Sequence, residues 1–176
     1  MKALAAALLI FVAACGQGNA IFNVDVLSFL SATDSVKRFS VPVGIGQADS
    51  NVARRFFLPP GFGKTAADSV SASATASIID TAGSGSVQFD VFFARTQGAL
   101  FTGTPYLSAN SGAMVAGDSV RLLPPTTVSL ADTVFQKDTV WVGVRARINK
   151  NIATTMAGRF RLNSLLVRIV VRGNIL

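Results

Sequence analysis

Histidine and glutamate are absent from this chain, and cysteine occurs once. Without histidine, Ser-His-Asp and Cys-His nucleophile systems and imidazole general bases are excluded, and one cysteine cannot build a zinc site. Nor can a lone cysteine form an internal disulfide, so stability has to come from packing. All nine acidic residues are Asp. Glu is a strong helix former, whereas the abundant Val, Thr, Phe and Ile suit pleated surfaces, which points to an almost all-β chain. Against nine acids stand 16 Lys and Arg, for a formal net charge of +7. An excess of that size favours anionic partners.

The cysteine closes the stretch MKALAAALLIFVAAC, residues Met1 to Cys15. Lys2 is followed by an unbroken apolar run from Ala3 to Ala14, well short of the roughly 20 residues a helix needs to cross a bilayer. Its length suits the apolar region of an export signal, about 7–15 residues, and Ala13 and Ala14 are small enough for a peptidase cleft. Val12-Ala13-Ala14-Cys15 resembles the cleavage site of a bacterial lipoprotein signal. That resemblance implies removal of residues 1–14 and acylation of Cys15, and with several acyl chains the anchoring is stable rather than marginal. Gly16, standing where an Asp would imply retention at the inner membrane, implies the outer membrane, on its periplasmic face or at the cell surface. Residues 15–20 then form the lipidated cysteine and a short tether reaching at most roughly 17 Å. Residues 21–176 form one domain of ordinary size.

Period-two alternation defines the domain. Val87, Phe89, Val91 and Phe93 face one way, as do Val140, Val142, Val144, Ala146 and Ile148. Further strands are expected over 22–30, 36–43, 53–58, 69–80, 119–123, 127–130 and 159–172. Turn-prone Gly, Pro, Asn and Asp separate them at the spacing of a single antiparallel β-sandwich, Ig-like or jelly-roll-like. Gly83-Ser84 suits a two-residue turn with glycine first, so a hairpin is expected that sets Ile78 opposite Phe89, Ala76 opposite Val91 and Ala74 opposite Phe93. Small residues would then meet large ones on the buried face. The hydroxyls of Ser71, Ser73, Thr75 and Ser77 would point the other way, which explains them without a flat sugar- or ice-binding surface.

Three patterns with chemical overtones carry little. Asp followed by Ser or Thr and then Val recurs at Asp34, Asp68, Asp118, Asp132 and Asp138, too irregularly for a repeat, and no copy belongs to a calcium loop. Each is expected to mark a turn in which the Asp bonds its own following backbone. Gly61-Phe62-Gly63-Lys64-Thr65 ends like a phosphate-binding loop, yet Leu58 stands where the first glycine belongs and a strand follows in place of a helix. Lys64 near Ser69 has no local signature of a Ser-Lys hydrolase.

The arginines are the candidate site. Arg145 and Arg147 share the outward face of one strand with Trp141, and Arg159 and Arg161 share that of the next. Joined as a hairpin across the loop from Asn149 to Gly158, these strands would gather four guanidinium groups against an anionic lipid, a polysaccharide or an envelope protein, anionic groups being what bidentate arginine suits. The structural counter-reading is that such charges only keep sheet faces and edges soluble, Arg168 and Arg172 among them. No aromatic-basic platform for nucleic acid is evident. No cofactor and no catalytic or metal-ligating set is expected. The function read here is a non-catalytic structural or binding module of the cell envelope; the second reading is a hydrolase with paired Asp carboxylates, acting on envelope polysaccharide.

Overall fold

In the computed structural model, residues 18–58, 67–136 and 139–173 are described. The signal segment, Cys15, the Gly61–Thr65 loop and Asp138 lie outside them.

Among the described residues, eleven strands form two antiparallel sheets. They are β1 (Gly18–Asp25), β2 (Val36–Val41), β3 (Gln47–Phe57), β4 (Ala67–Ala82), β5 (Ser84–Ala94), β6 (Leu107–Asn110), β7 (Met114–Val115), β8 (Ser119–Leu122), β9 (Thr127–Asp132), β10 (Thr139–Lys150) and β11 (Met156–Gly173). In sheet I, β11 and β4 are central. β1 and β2 share the outer edge of β11, while β9 and β8 share that of β4. Sheet II runs β3, β10, β5, with β6 and β7 sharing the last edge. Counting each shared edge as one position, the chain visits eight positions in the orders 1-8-3-6 and 2-7-4-5. That is a jelly-roll, in which nearly every consecutive pair of positions crosses from one sheet to the other.

This topology corrects two expected hairpins. β4 and β5 do not pair; Gly83 turns a corner between the sheets, with φ at 91°. The alternation itself holds, since Ala74, Ala76 and Ile78 are buried, as are Phe89, Val91 and Phe93. Small meets large across the interior, between facing sheets about 10 Å apart, and not along a ladder. Similarly β10 and β11 belong to different sheets. The sequence expectations also end β1 too late, since Asp25 Oδ1 accepts from the Leu27 amide at 3.0 Å and the chain tightens into a 3-10 turn over Val26–Phe29. β6 and β7, four and two residues long, were not expected at all.

The core joins the inner faces of both sheets, with the Phe89 ring of β5 tilted against that of Phe160 of β11, their centres 5.4 Å apart. Along β11 the buried residues switch from Phe160 and Leu162 to Leu165, Val167 and Ile169. A β-bulge between Leu162 and Ser164 inserts the extra residue that changes the parity. One open side of the sandwich is bridged by an ion pair. Arg54 of β3 donates from Nε and Nη2 to Asp34 Oδ2 at 2.9 and 2.6 Å, and Asp34 sits in the single helical turn α1 (Ala32–Ser35) leading into β2. The Ser31 hydroxyl, Arg54 and Lys37 together hold the Asp34 carboxyl down at about 2 against the opposing effect of burial. Its folded form therefore resists protonation. The stability it contributes is complete above the ordinary carboxylate range and is lost as pH falls from about 4 through about 2.

Candidate anionic-partner face

Strand alternation exposes one row of side chains per face, and register decides which rows become neighbours. On the outside of sheet II, Arg145 lies beside Asp90 of β5, and Arg147 shares a rung with Asp49 of β3. Arg145 donates from Nε and Nη2 to Asp90 Oδ2 at 3.1 and 2.7 Å. Asp90 is fully buried, and its other oxygen accepts from Ser108 Oγ at 2.8 Å and Gln88 Nε2 at 3.1 Å. The Arg145 guanidinium also lies 4.7 Å from the centre of the Phe92 ring. Arg147 donates to both oxygens of Asp49, at 2.9 and 3.2 Å, and that partner raises its already high pKa. Trp141 packs into a small second cluster with Phe92, Ala94, Leu100, Ala53 and Phe101. All three are engaged by neighbours, and the charges of the two arginines are matched by carboxylates.

Arg159 and Arg161 stand on the opposite side of the molecule, on the outer face of sheet I. The expected cluster of four therefore does not form, because the connection between β10 and β11 crosses the sandwich. Two other arginines take the vacant places. Arg159 pairs in register with Arg38 of β2, and Arg161 shares Ser77 of β4 with Arg121 of β8. The four occupy two successive rungs, Arg38-Arg159-Ile79-Ser119 and Val36-Arg161-Ser77-Arg121. All four are exposed, and among the described residues none has a carboxylate within ion-pair distance. Arg38 was missed because its outward orientation is legible from alternation, whereas its neighbour is set by the pairing of β2 with β11.

A concavity of about 400 Å³ opens beside this row, lined by Arg38, Ile79, Thr81, Gly158 and Arg159. Its floor comes from a second β-bulge, between Ala157 and Gly158, where the Thr81 hydroxyl donates to the Ala157 carbonyl at 3.0 Å. A Cβ at Gly158 would collide with the Ile79 carbonyl and the Phe39 ring, so glycine is what lets the strands close there. A second concavity, on the sheet II side, includes Ser84, Met114, Asn149 and Lys150 in its lining. Neither has an Asp in its lining, and no group of three or more metal-ligating side chains occurs among the described residues.

Two of the five expected Asp turns resolve differently from their prediction. Asp34 accepts from the Ser31 hydroxyl and Asp118 Oδ2 from the Val115 amide at 2.8 Å, so both reach backward along the chain. Asp80 is the unusual carboxylate. It is fully buried, Oδ1 accepts from the Ala82 amide at 3.1 Å, and Oδ2 has no partner. Burial raises its pKa, the Ala82 amide opposes, and nearby Asp118 adds a smaller upward push. An unfolded Asp80 ionises first as pH rises past the ordinary range, so this residue lowers stability above that point. Asp80→Asn keeps the acceptor for Ala82 and removes the buried charge, and should raise stability at neutral pH by about 1–3 kcal/mol. Thermal melts should show the gain shrinking to nothing below pH 4; a gain independent of pH would contradict this account.

No family model matches the chain, and no curated protein matches it. Among solved structures it is similar to that of infectious bursal disease virus Gx strain, at 12% identity over 91% of this chain and 33% of the viral chain, with a TM-score of 0.50. The Gt strain of the same virus gives 14% identity, 90% and 38% coverage and a TM-score of 0.49. The chain thus spans about a third of the length of these viral chains. At such identities the likeness concerns the fold alone.

Proposed function

We propose that this protein is a membrane-anchored module of the bacterial cell envelope, held by acylated Cys15 and non-catalytic, whose anionic partner binds the outer face of sheet I. The observation that carries the reading is the sorting of the arginines. Arg54, Arg145 and Arg147 are matched to Asp34, Asp90 and Asp49, whereas Arg38, Arg121, Arg159 and Arg161 stand together without carboxylates. Like charges on neighbouring strands cost roughly 0.2–1 kcal/mol per opposed pair, so a shared anion would offset a repulsion that the bare face carries. Guanidinium groups in adjacent rungs suit phosphate or carboxylate oxygens, whether on lipid headgroups or on an acidic polysaccharide. No helix among the described residues is long and apolar enough to cross a membrane, and the anchor proposed here needs none.

Two variants test the two halves of the reading. Cys15→Ala should make the protein extractable from the membrane fraction by high salt while its β-type circular dichroism is kept; persistence with salt-washed membranes contradicts the anchor. Changing Arg38, Arg121, Arg159 and Arg161 together to Ser should abolish recovery of anionic partners from an envelope extract. Changing Arg147 to Ser should leave recovery as it is, and equal recovery by all three proteins would defeat the arginine face.

A further inference from the structure

We infer that the outer face of sheet I is the surface on which the domain lies against the bilayer, with an apolar end seated beside the Cys15 anchor and the arginine rungs reaching headgroup phosphates farther out. This rests on the reading that Cys15 is acylated, and adds to it an orientation and the identity of the anionic partner.

The end of sheet I nearest the anchor carries four large apolar residues that are half or more exposed, whereas the outward Val36 and Ile79 of the arginine rungs are partly covered. Ile21, Val170, Ser69 and Leu130 form one rung, and Asn23, Arg168, Ser71 and Val128 the next. Leu166 follows on β11. Ile21, Val128, Leu130 and Leu166 are 51%, 60%, 76% and 50% exposed, all on one face in successive rungs. Single exposed apolar residues need no explanation, but four on one face within three successive rungs do. The place of the chain's anchor supplies one. Cys15 is separated from Gly18 by only two residues, a reach of roughly 10 Å, and β1 enters the sheet along this same end of β11.

Charge agrees with the same occupant. Arg168 stands within the apolar group and has no carboxylate within ion-pair distance among the described residues. From Val170 the outer face continues along β11 to Arg161 and Arg159, roughly 35 Å away at the usual rise per residue. Between them lie the hydroxyls of Ser69, Ser71, Ser73, Thr75 and Ser77 on β4, short side chains that let a flat partner approach. An apolar group beside a lipid anchor, small polar residues, then arginines is the order expected of a face lying along a bilayer with anionic headgroups.

Site-specific depth measurement tests this in the acylated protein, where an introduced cysteine is the only free thiol. Leu130→Cys, Ser119→Cys and Thr104→Cys, the last on the loop over sheet II, are each labelled with a fluorophore. The proteins are reconstituted in vesicles of phosphatidylglycerol and phosphatidylcholine containing brominated acyl chains, and mass spectrometry confirms the acyl groups. The expected result is strong quenching at 130, with 119 unquenched by bromine but losing access to an aqueous quencher, and 104 behaving as in solution. In phosphatidylcholine alone the label at 119 should regain aqueous access. Equal behaviour of 130 and 104 on acylated protein overturns the inference and leaves the anchor standing. A label at 130 shielded from water but untouched by bromine indicates two copies meeting face to face, and also overturns it. An unacylated mature terminus overturns the reading beneath it.

Discussion

Replacing Asp90 with alanine should lower the free energy of unfolding by about 3–5 kcal/mol, the cost of leaving one member of a buried ion pair without its partner. The carboxylate is fully buried and satisfies four donors: two from Arg145, one from Ser108 and one from Gln88. Those donors lie on β10, β6 and β5, so Asp90 ties three adjacent strands of sheet II by side chains as well as by their ladders. Once it is gone, the Arg145 guanidinium, only 13% exposed and lying against Phe92, has no other carboxylate within ion-pair distance among the described residues. Replacing both partners, Asp90→Ala with Arg145→Met, removes the stranded charge and should cost markedly less than the single change. Urea unfolding of the three proteins checks this. A single variant within about 0.5 kcal/mol of the wild type would show that the pair adds nothing.

Gly83→Ala should be almost as damaging, at about 3 kcal/mol or more, although it adds one methyl group. Gly83 has φ at 91°, a region that alanine enters only with strain, and its Cβ would fall on the Thr155 carbonyl of the loop before β11. The clash is with backbone, so no rotamer change relieves it. Gly112, with φ at 71° and open space around it, separates the two costs. Gly112→Ala should lose only the conformational part, about 1–2 kcal/mol. Similar losses at both positions would mean that the corner between β4 and β5 is looser than described.

These two sites mark where sequence reasoning stops. Alternation from Val70 to Ile78 and from Val87 to Phe93 reveals strands and their buried faces, because side chains must alternate along any extended strand. Glycine at 83 reveals a reversal of direction. What local chemistry does not contain is whether the chain, having reversed, pairs with itself or crosses to the facing sheet. That choice is made by β11, which occupies the edge of β4 that a hairpin would have given to β5. The same crossing between β10 and β11 separates Arg145 and Arg147 from Arg159 and Arg161, so the four arginines, adjacent by strand order along the chain, divide between the two outer faces. Arg38 and Arg121 join the second pair through register with β11 and β4, across separations that no spacing rule spans. The Asp90 and Arg145 partnership likewise links residues 55 positions apart. By contrast, the parity change between Leu162 and Leu165 is visible in the sequence and marks the bulge directly.

If the four arginines of sheet I, and not those of sheet II, meet an anionic partner, the salt dependence of binding by the Cys15→Ala protein to phosphatidylglycerol vesicles will report it. Affinity should fall steeply as ionic strength rises, and the Ser variant at Arg38, Arg121, Arg159 and Arg161 should bind weakly with a nearly flat dependence, while Arg147→Ser keeps the wild-type slope. Identical slopes for the wild type and the four-arginine variant would contradict the account.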